Sequence, residues 1–243
     1  MATFVIAHGA WSAGWFWKKM HPLLTQRGHR LFSPTYTGIG ERSHLAHRGI
    51  NLASHIEDLL KVLEYEDLSN IVLVGHSYGG MVATGVGDRA SERIAQVIYL
   101  DAFVPRDGES VFSLMAESTR QNFAAAADRD GDGWRLPANP MPPDVSPADV
   151  AWAMPRRVTQ PIETFRQPIN LSGKIDKLPR SYIYCTKSGP GDVFKQFADR
   201  ARTEPGWRYF EMPASHNPQV TMPETLADLL CSIALAHAAP ASP

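Results

Sequence analysis

The chain has 243 residues, 44% of them hydrophobic, which suits one domain of the larger kind with a sizeable core. Its 24 basic and 25 acidic side chains leave a formal charge of −1, so nothing electrostatic points to a nucleic acid or an anionic membrane as partner. Two cysteines, Cys185 and Cys231, make no disulfide framework and suit a reducing compartment, and no apolar run approaches the ~18 residues that span a bilayer.

The chain opens Met1-Ala2-Thr3-Phe4-Val5-Ile6-Ala7 without a basic leader, which reads as a first strand over Thr3–Ala7 and not as a signal peptide. A cytoplasmic protein is therefore expected. Gly14–Arg27 reads as a helix ended by Gly28, His29–Ser33 as a second strand and Thr35–Gly49 as a Gly-containing loop. The clearest helix is Leu52–Tyr65: Leu52, Ile56, Leu59, Leu60 and Leu63 follow helical spacing, and Ser54 and Glu57 are placed like a capping box. Ile71–Val74 is an apolar run of the length of a buried strand. A helix follows to about Arg89, then a strand over Ala95–Leu100.

From Pro105 to Pro179 the periodicity fails, and Pro137, Pro140, Pro142, Pro143 and Pro147 interrupt it. A structureless loop of that length is improbable, so a mostly helical insertion with Pro-rich joints is expected. Strands resume at Ser181–Thr186 and Trp207–Met212. Helices are expected from about Val193 to Arg202 and from about Pro223 to His237, with a frayed tail over Ala238–Pro243. Alternating strands and helices predict an α/β fold, a mostly parallel sheet with helices on both faces. Residues 1–104 and 180–243 form its core in this reading, and 105–179 the cap.

Between the Ile71–Val74 strand and its following helix stands Gly75-His76-Ser77-Tyr78-Gly79-Gly80. Strand, Gly-x-Ser-x-Gly, helix describes a turn so tight that glycines replace side chains that would collide, leaving a serine hydroxyl exposed at its tip. A serine needs a base to take its proton, and the base needs a third group to hold its tautomer. His216 sits in the loop after the last strand, aimed at the same crevice, and is the expected base. His76 flanks the serine and reads as a packing residue. Two carboxylates compete for the third place. Asp101 ends the strand beside that of the serine. Asp192 follows the next strand but could equally cap the helix starting at Val193. Two N–H groups should hold a developing oxyanion, from Tyr78 after the serine and from Ala10 in the loop after the first strand.

Together these residues resemble the α/β-hydrolase superfamily, and more closely its branch of plant methyl-ester esterases, hydroxynitrile lyases and related bacterial esterases. The matching stretches are His8-Gly9-Ala10-Trp11 with Gly14-Trp15-Phe16-Trp17, then Pro34-Thr35-Tyr36-Thr37-Gly38-Ile39-Gly40-Glu41-Arg42, the Ser77 turn, and Asp101-Ala102-Phe103-Val104-Pro105. The resemblance covers most of the chain and is weak across 105–179. It implies a cofactor-independent serine hydrolase that cleaves small carboxylic esters through an acyl-enzyme. Hydroxynitrile lyases carry a threonine in the oxyanion loop and a lysine directly after the histidine. Here the loop reads His8-Gly9-Ala10-Trp11 and the later position is Asn217, which disfavours cyanohydrin cleavage. Some haloalkane dehalogenases place their acid where Asp101 stands, though they use an aspartate nucleophile.

A non-hydrolytic ligand-binding module or a lyase on the same fold is the alternative. Trp11, Phe103, Trp134 and Trp152 are expected to line the pocket, with Phe112, Met115, Phe123 and Met154 as further candidates for its roof. Asp128-Arg129-Asp130-Gly131-Asp132-Gly133 imitates half of a calcium loop, but the twelfth position is Asn139 and not a bidentate glutamate. No metal or cofactor is expected. The partner is a small-molecule ester, and the oligomeric state stays open, a homodimer included.

Overall fold

The structure is a computed structural model and describes residues 1–189 and 191–238. Six parallel strands form one sheet: β1 (Thr3–Ala7), β2 (Arg30–Phe32), β3 (Ile71–His76), β4 (Ile94–Leu100), β7 (Arg180–Cys185) and β8 (Trp207–Met212). Their order across the sheet is β2-β1-β3-β4-β7-β8. The apolar runs are near-continuous because both faces are covered. Val5, Ala7, Leu73, Val97 and Tyr99 pack with helices α2 (Leu52–Tyr65) and α3 (Gly79–Arg89) on one side. Phe4, Ile6, Val74, Ile98 and Leu100 pack with α1 (Met20–Gln26) and α9 (Pro223–Ala238) on the other. No helix of the described residues is long and apolar enough to cross a membrane.

Two local expectations need correction. The single helix over Gly14–Arg27 is a short 3-10 turn, Gly14–Trp17, followed by α1. Pro22 lacks the N–H that a continuous helix would need there, and it fits only in the first turn of a new one. The cap of α2 is not Ser54 with Glu57 but Asn51, whose side chain accepts from the Ser54 N–H while the Ser54 hydroxyl accepts from the Asn51 N–H. Glu57, released from capping, pairs with Arg89 at 2.7 Å. Ala238 is the last residue of α9, and the rest of the expected frayed tail lies outside the described residues.

Between β4 and β7 the chain leaves the sheet. It forms α4 (Glu117–Asp130), α5 (Pro147–Ala153), α6 (Glu163–Arg166) and an antiparallel pair of two-residue strands, β5 (Arg135–Leu136) and β6 (Gln160–Pro161). After β7 come α7 (Lys195–Thr203), β8 and the short α8 (Pro218–Thr221). The calcium-like stretch ends α4 and turns into β5, and no group of three or more metal-ligating side chains occurs among the described residues.

Candidate active site

The sheet order reverses at β1, which has β2 on one side and β3 on the other. Loops leaving the carboxyl ends of β1 and β3 therefore diverge and open a crevice between them. His8-Gly9-Ala10-Trp11 leaves β1 there, and Ser77 leaves β3. Ser77 has φ 56°, a left-handed conformation that costs a non-glycine residue energy and persists only where the surroundings enforce it. They do so through backbone approach. A Cβ on Gly79 would lie 1.9 Å from the Ala7 carbonyl oxygen, and one on Gly80 2.0 Å from that of Phe103. The Ser77 carbonyl accepts from Gly80 and Phe103, and its N–H donates to Leu100.

Asp101, at the end of β4, is also left-handed, with φ 42°. Its N–H donates to Ile183, which ties the turn to β7. The carboxylate is 1% exposed; Oδ2 accepts from His216 Nδ1 at 2.7 Å and Oδ1 from the Cys185 N–H at 3.2 Å. Burial pushes the Asp101 carboxyl above its ordinary value, and the bond from His216 pulls partly the other way. With Nδ1–H given to Asp101, His216 Nε2 is left to face the cavity as a proton acceptor. Ser77 and His216 line that one cavity, and no hydrogen bond joins their side chains.

Two aromatic rings pack against the imidazole of His216. Phe194 stacks on it at 4.8 Å and 9°, and the His76 ring lies 4.8 Å away on a tilt of 35°. His76 Nε2–H donates to the His216 carbonyl at 2.7 Å. Burial drives its pKa well below the ordinary histidine value, so His76 works as a neutral strut. Asp192 serves this arrangement from a distance. Its Oδ1 accepts from the Phe194 N–H at 2.8 Å and its Oδ2 from the Tyr184 hydroxyl at 2.7 Å.

Trp11 is left-handed too, with φ 57°, and the β5–β6 pair clamps it. Its indole N–H donates to the Leu136 carbonyl at 3.0 Å and its backbone N–H to Gln160 Oε1 at 3.3 Å. Gln160 is buried, and its amide nitrogen donates to Thr164. The N–H groups of Ala10 and Tyr78, just before Trp11 and just after Ser77, have no acceptor among the described residues. Beneath them the Tyr78 hydroxyl donates to His55 Nδ1 at 2.9 Å, since His55 Nε2–H is given to the Thr37 carbonyl.

The cavity over Ser77 measures about 610 Å³, in the range of small-molecule sites. Its floor is Ala10, Trp11, Ser77, Tyr78 and His216, and its roof includes Leu114, Met115, Phe123 and Phe165. The alpha/beta hydrolase family matches residues 4–229. The carbendazim hydrolyzing esterase of Nocardioides sp. (strain SG-4G) is 37% identical over 96% of this chain and 100% of its own length. The chain belongs to the alpha/beta hydrolase family. A pyrethroid hydrolase of Sphingobium wenxiniae is 27% identical over 98% of this chain and 89% of its own. An extracellular alpha/beta-hydrolase from a Paenibacillus species superposes with a TM-score of 0.84 at 23% identity, covering 96% of this chain and 98% of that one. This alpha/beta hydrolase is an enzyme of the ester-cleaving type.

Of the two carboxylates singled out in the hydrolase sequence, Asp101 bonds to His216 and Asp192 does not. Trp11 and Phe103 line the cavity, as do Met115 and Phe123. Trp134 and Trp152 do not, which corrects that expectation. Trp134 faces the guanidinium groups of Arg135 and Arg48, and Trp152 packs against Trp15 and Phe16. Phe112 and Met154 also lie outside the lining. Three residues at the site had no sequence signal. Phe194 and Gln160 act through contacts more than a hundred positions away or across a loop, and Arg157 stands in an aperiodic Pro-containing stretch.

Proposed function

We propose that Ser77 is the nucleophile of a cofactor-independent esterase, with His216 as its base and Asp101 as the group that orients the base. The 2.7 Å bond between His216 Nδ1 and buried Asp101, in a cavity shared with Ser77, carries this reading. The serine Oγ attacks the ester carbonyl carbon while His216 Nε2 takes its proton. The free N–H groups of Ala10 and Tyr78 accept the charge that develops on the carbonyl oxygen. Protonated His216 then gives its proton to the departing alcohol, and an acyl-Ser77 remains. Water repeats the sequence and releases the acid.

The cavity favours small aryl or alkyl esters, an inference supported by its aromatic roof and by relatives named for hydrolysing carbendazim and pyrethroids. In this scheme residues 1–104 and 180–243 supply the chemistry, and 105–179 act as a cap that shapes the substrate. Two free, buried thiols fit a reducing, cytoplasmic setting. Labelling with a fluorophosphonate tests the proposal. The intact protein should gain one adduct, on Ser77, and Ser77→Ala should gain none and lose esterase activity. An unlabelled Ser77 in a protein that still hydrolyses esters would sink it.

A further inference from the structure

One side chain in the cavity wall is unexplained by ester cleavage. Arg157 is the single arginine or lysine among the lining residues. It is half-buried, its guanidinium carbon lies 5.9 Å from the centre of the Trp11 ring, and burial lowers its pKa to about 10. A cation taken from water is costly unless an anion meets it. Elsewhere in the molecule a largely buried arginine is met by a carboxylate, as Arg180 is by Asp176 at 2.7 Å. Arg157 has no carboxylate partner among the described residues. Asp192, the one acidic side chain in the same lining, is taken up by Tyr184 and Phe194.

What Arg157 does have is an aligned fork. Nη1 donates to the Asn139 carbonyl and Nη2 to Asn139 Oδ1, so one end of the guanidinium is occupied by Asn139. Nη1 also reaches Met141 Sδ at 3.6 Å, whereas Nε–H and the second N–H of Nη2, on the opposite edge, have no hydrogen-bond partner among the described residues. That edge carries two parallel N–H groups, the geometry that takes a carboxylate through two bonds. Asn139 stands beside Pro140, whose fixed φ stiffens the wall that presents it.

We infer that Arg157 is the receptor for a carboxylate on the substrate, carried on the arm remote from the scissile ester. The preferred substrates are then acidic half-esters, or esters of an acidic alcohol, and not neutral ones of the same size. Naming them as substrates rests on the ester chemistry proposed at Ser77; the anion site itself does not. The bonds made and broken are those of ester hydrolysis, and the carboxylate stays unchanged.

Two matched pairs test this: monophenyl glutarate against phenyl pentanoate, and para-carboxyphenyl butanoate against phenyl butanoate. Binding is measured by calorimetry in Ser77→Ala, with and without Arg157→Met, and turnover in the protein with Ser77 intact. In at least one pair the charged member should bind about 10- to 100-fold more tightly, as charge-assisted bonds allow. Arg157→Met should abolish that ratio. Arg157→Lys should keep part of it, and added salt should shrink it in the Arg157 protein, which covers the case of a misfolded Met variant. Equal binding within both pairs, or a ratio that Arg157→Met leaves untouched, overturns the proposal and leaves Arg157 as a strut for Asn139. Selective binding by Ser77→Ala, with no turnover when Ser77 is present, would keep the carboxylate site and overturn the esterase reading instead.

Discussion

The strand ends that carry Ser77, Asp101 and His216 and the segment that roofs them are ordered by different means. The floor is fixed by main chain. Parallel register aligns β3, β4 and β7, and backbone bonds from Ser77 to Leu100 and from Asp101 to Ile183 lock each turn to the neighbouring strand. The roof has one long helix, two short ones and a four-residue sheet, and its links to the floor run through side chains, Gln160 and the Trp11 indole among them. A floor of this kind should be broken by changes that alter backbone approach or remove a charge. The roof should fail one contact at a time.

The largest expected effect separates the two carboxylates. Asp101→Asn should lower kcat on the order of 10⁴-fold, as loss of the orienting acid does in serine hydrolases. Asp192→Asn, which only loosens Phe194 and Tyr184, should stay within about tenfold. Equal losses in kcat assays of a phenyl ester would remove the distinction between them. Next come the glycines of the Ser77 turn. Gly79→Ala drives a methyl into the Ala7 carbonyl and should cost about 3 kcal/mol, seen as a fall in Tm of roughly 6–12 °C.

Acid should act on the floor before the roof. Burial depresses the folded pKa of His8 to about 4 and of His55 to about 3, against an ordinary 6.5. A group with a lowered folded pKa contributes stability that is present above its unfolded value and is lost as pH falls towards the folded one. Between about pH 6.5 and 4 the unfolded chain therefore binds more protons, and each histidine should cost about 1.4 kcal/mol per pH unit. Thermal melts across that window check the slope, and a flat Tm would contradict it. Gln160→Ala is the roof's counterpart. It orphans the Trp11 N–H, a loss of about 1–3 kcal/mol, and should lower kcat by about tenfold with Ser77 still labelled by a phosphonate. Gln160→Glu keeps an acceptor and should recover part of the rate.

The smallest effect has the opposite sign. The folded pKa of Asp101 is raised, so its protonation favours the fold and stability is lost as pH rises through the folded value. Asp101→Asn should then be slightly more stable than the parent at pH 7, and that gain should vanish in acid. A less stable Asp101→Asn at pH 7 would mean that the bond from His216 outweighs desolvation.

The floor was far more legible in the sequence than the roof. Strand-like runs locate all six strands of the main sheet within two residues; β1, β3 and β4 stand out because they are buried on both faces, whereas the edge strands β2 and β8 are shorter or more polar and only partly buried. Ser77 and His216 follow from their places after strands. The choice between Asp101 and Asp192 did not, since both follow strand ends. It depends on a contact across 115 positions that no local pattern encodes. Above the sheet, an aromatic residue announces burial but not its neighbours. Trp152 is half-buried against Trp15 and Phe16, where the pattern alone could equally have put it over Ser77. Gln160 and Arg157 carry no periodic signal, because each works through one long-range bond or one exposed edge.

Trp11 joins the two regions, and this has a consequence for motion. A roof that swung away to admit substrate would pull Gln160 and Leu136 from Trp11, and so would disturb the loop after β1 as it opened. Entry by side-chain movement at the rim would instead leave the β5–β6 pair and the Trp11 bonds in place. The Trp11 amide and indole protons should then exchange with solvent only as slowly as the strands beneath them, making one tryptophan a gauge of whether cap and sheet open together.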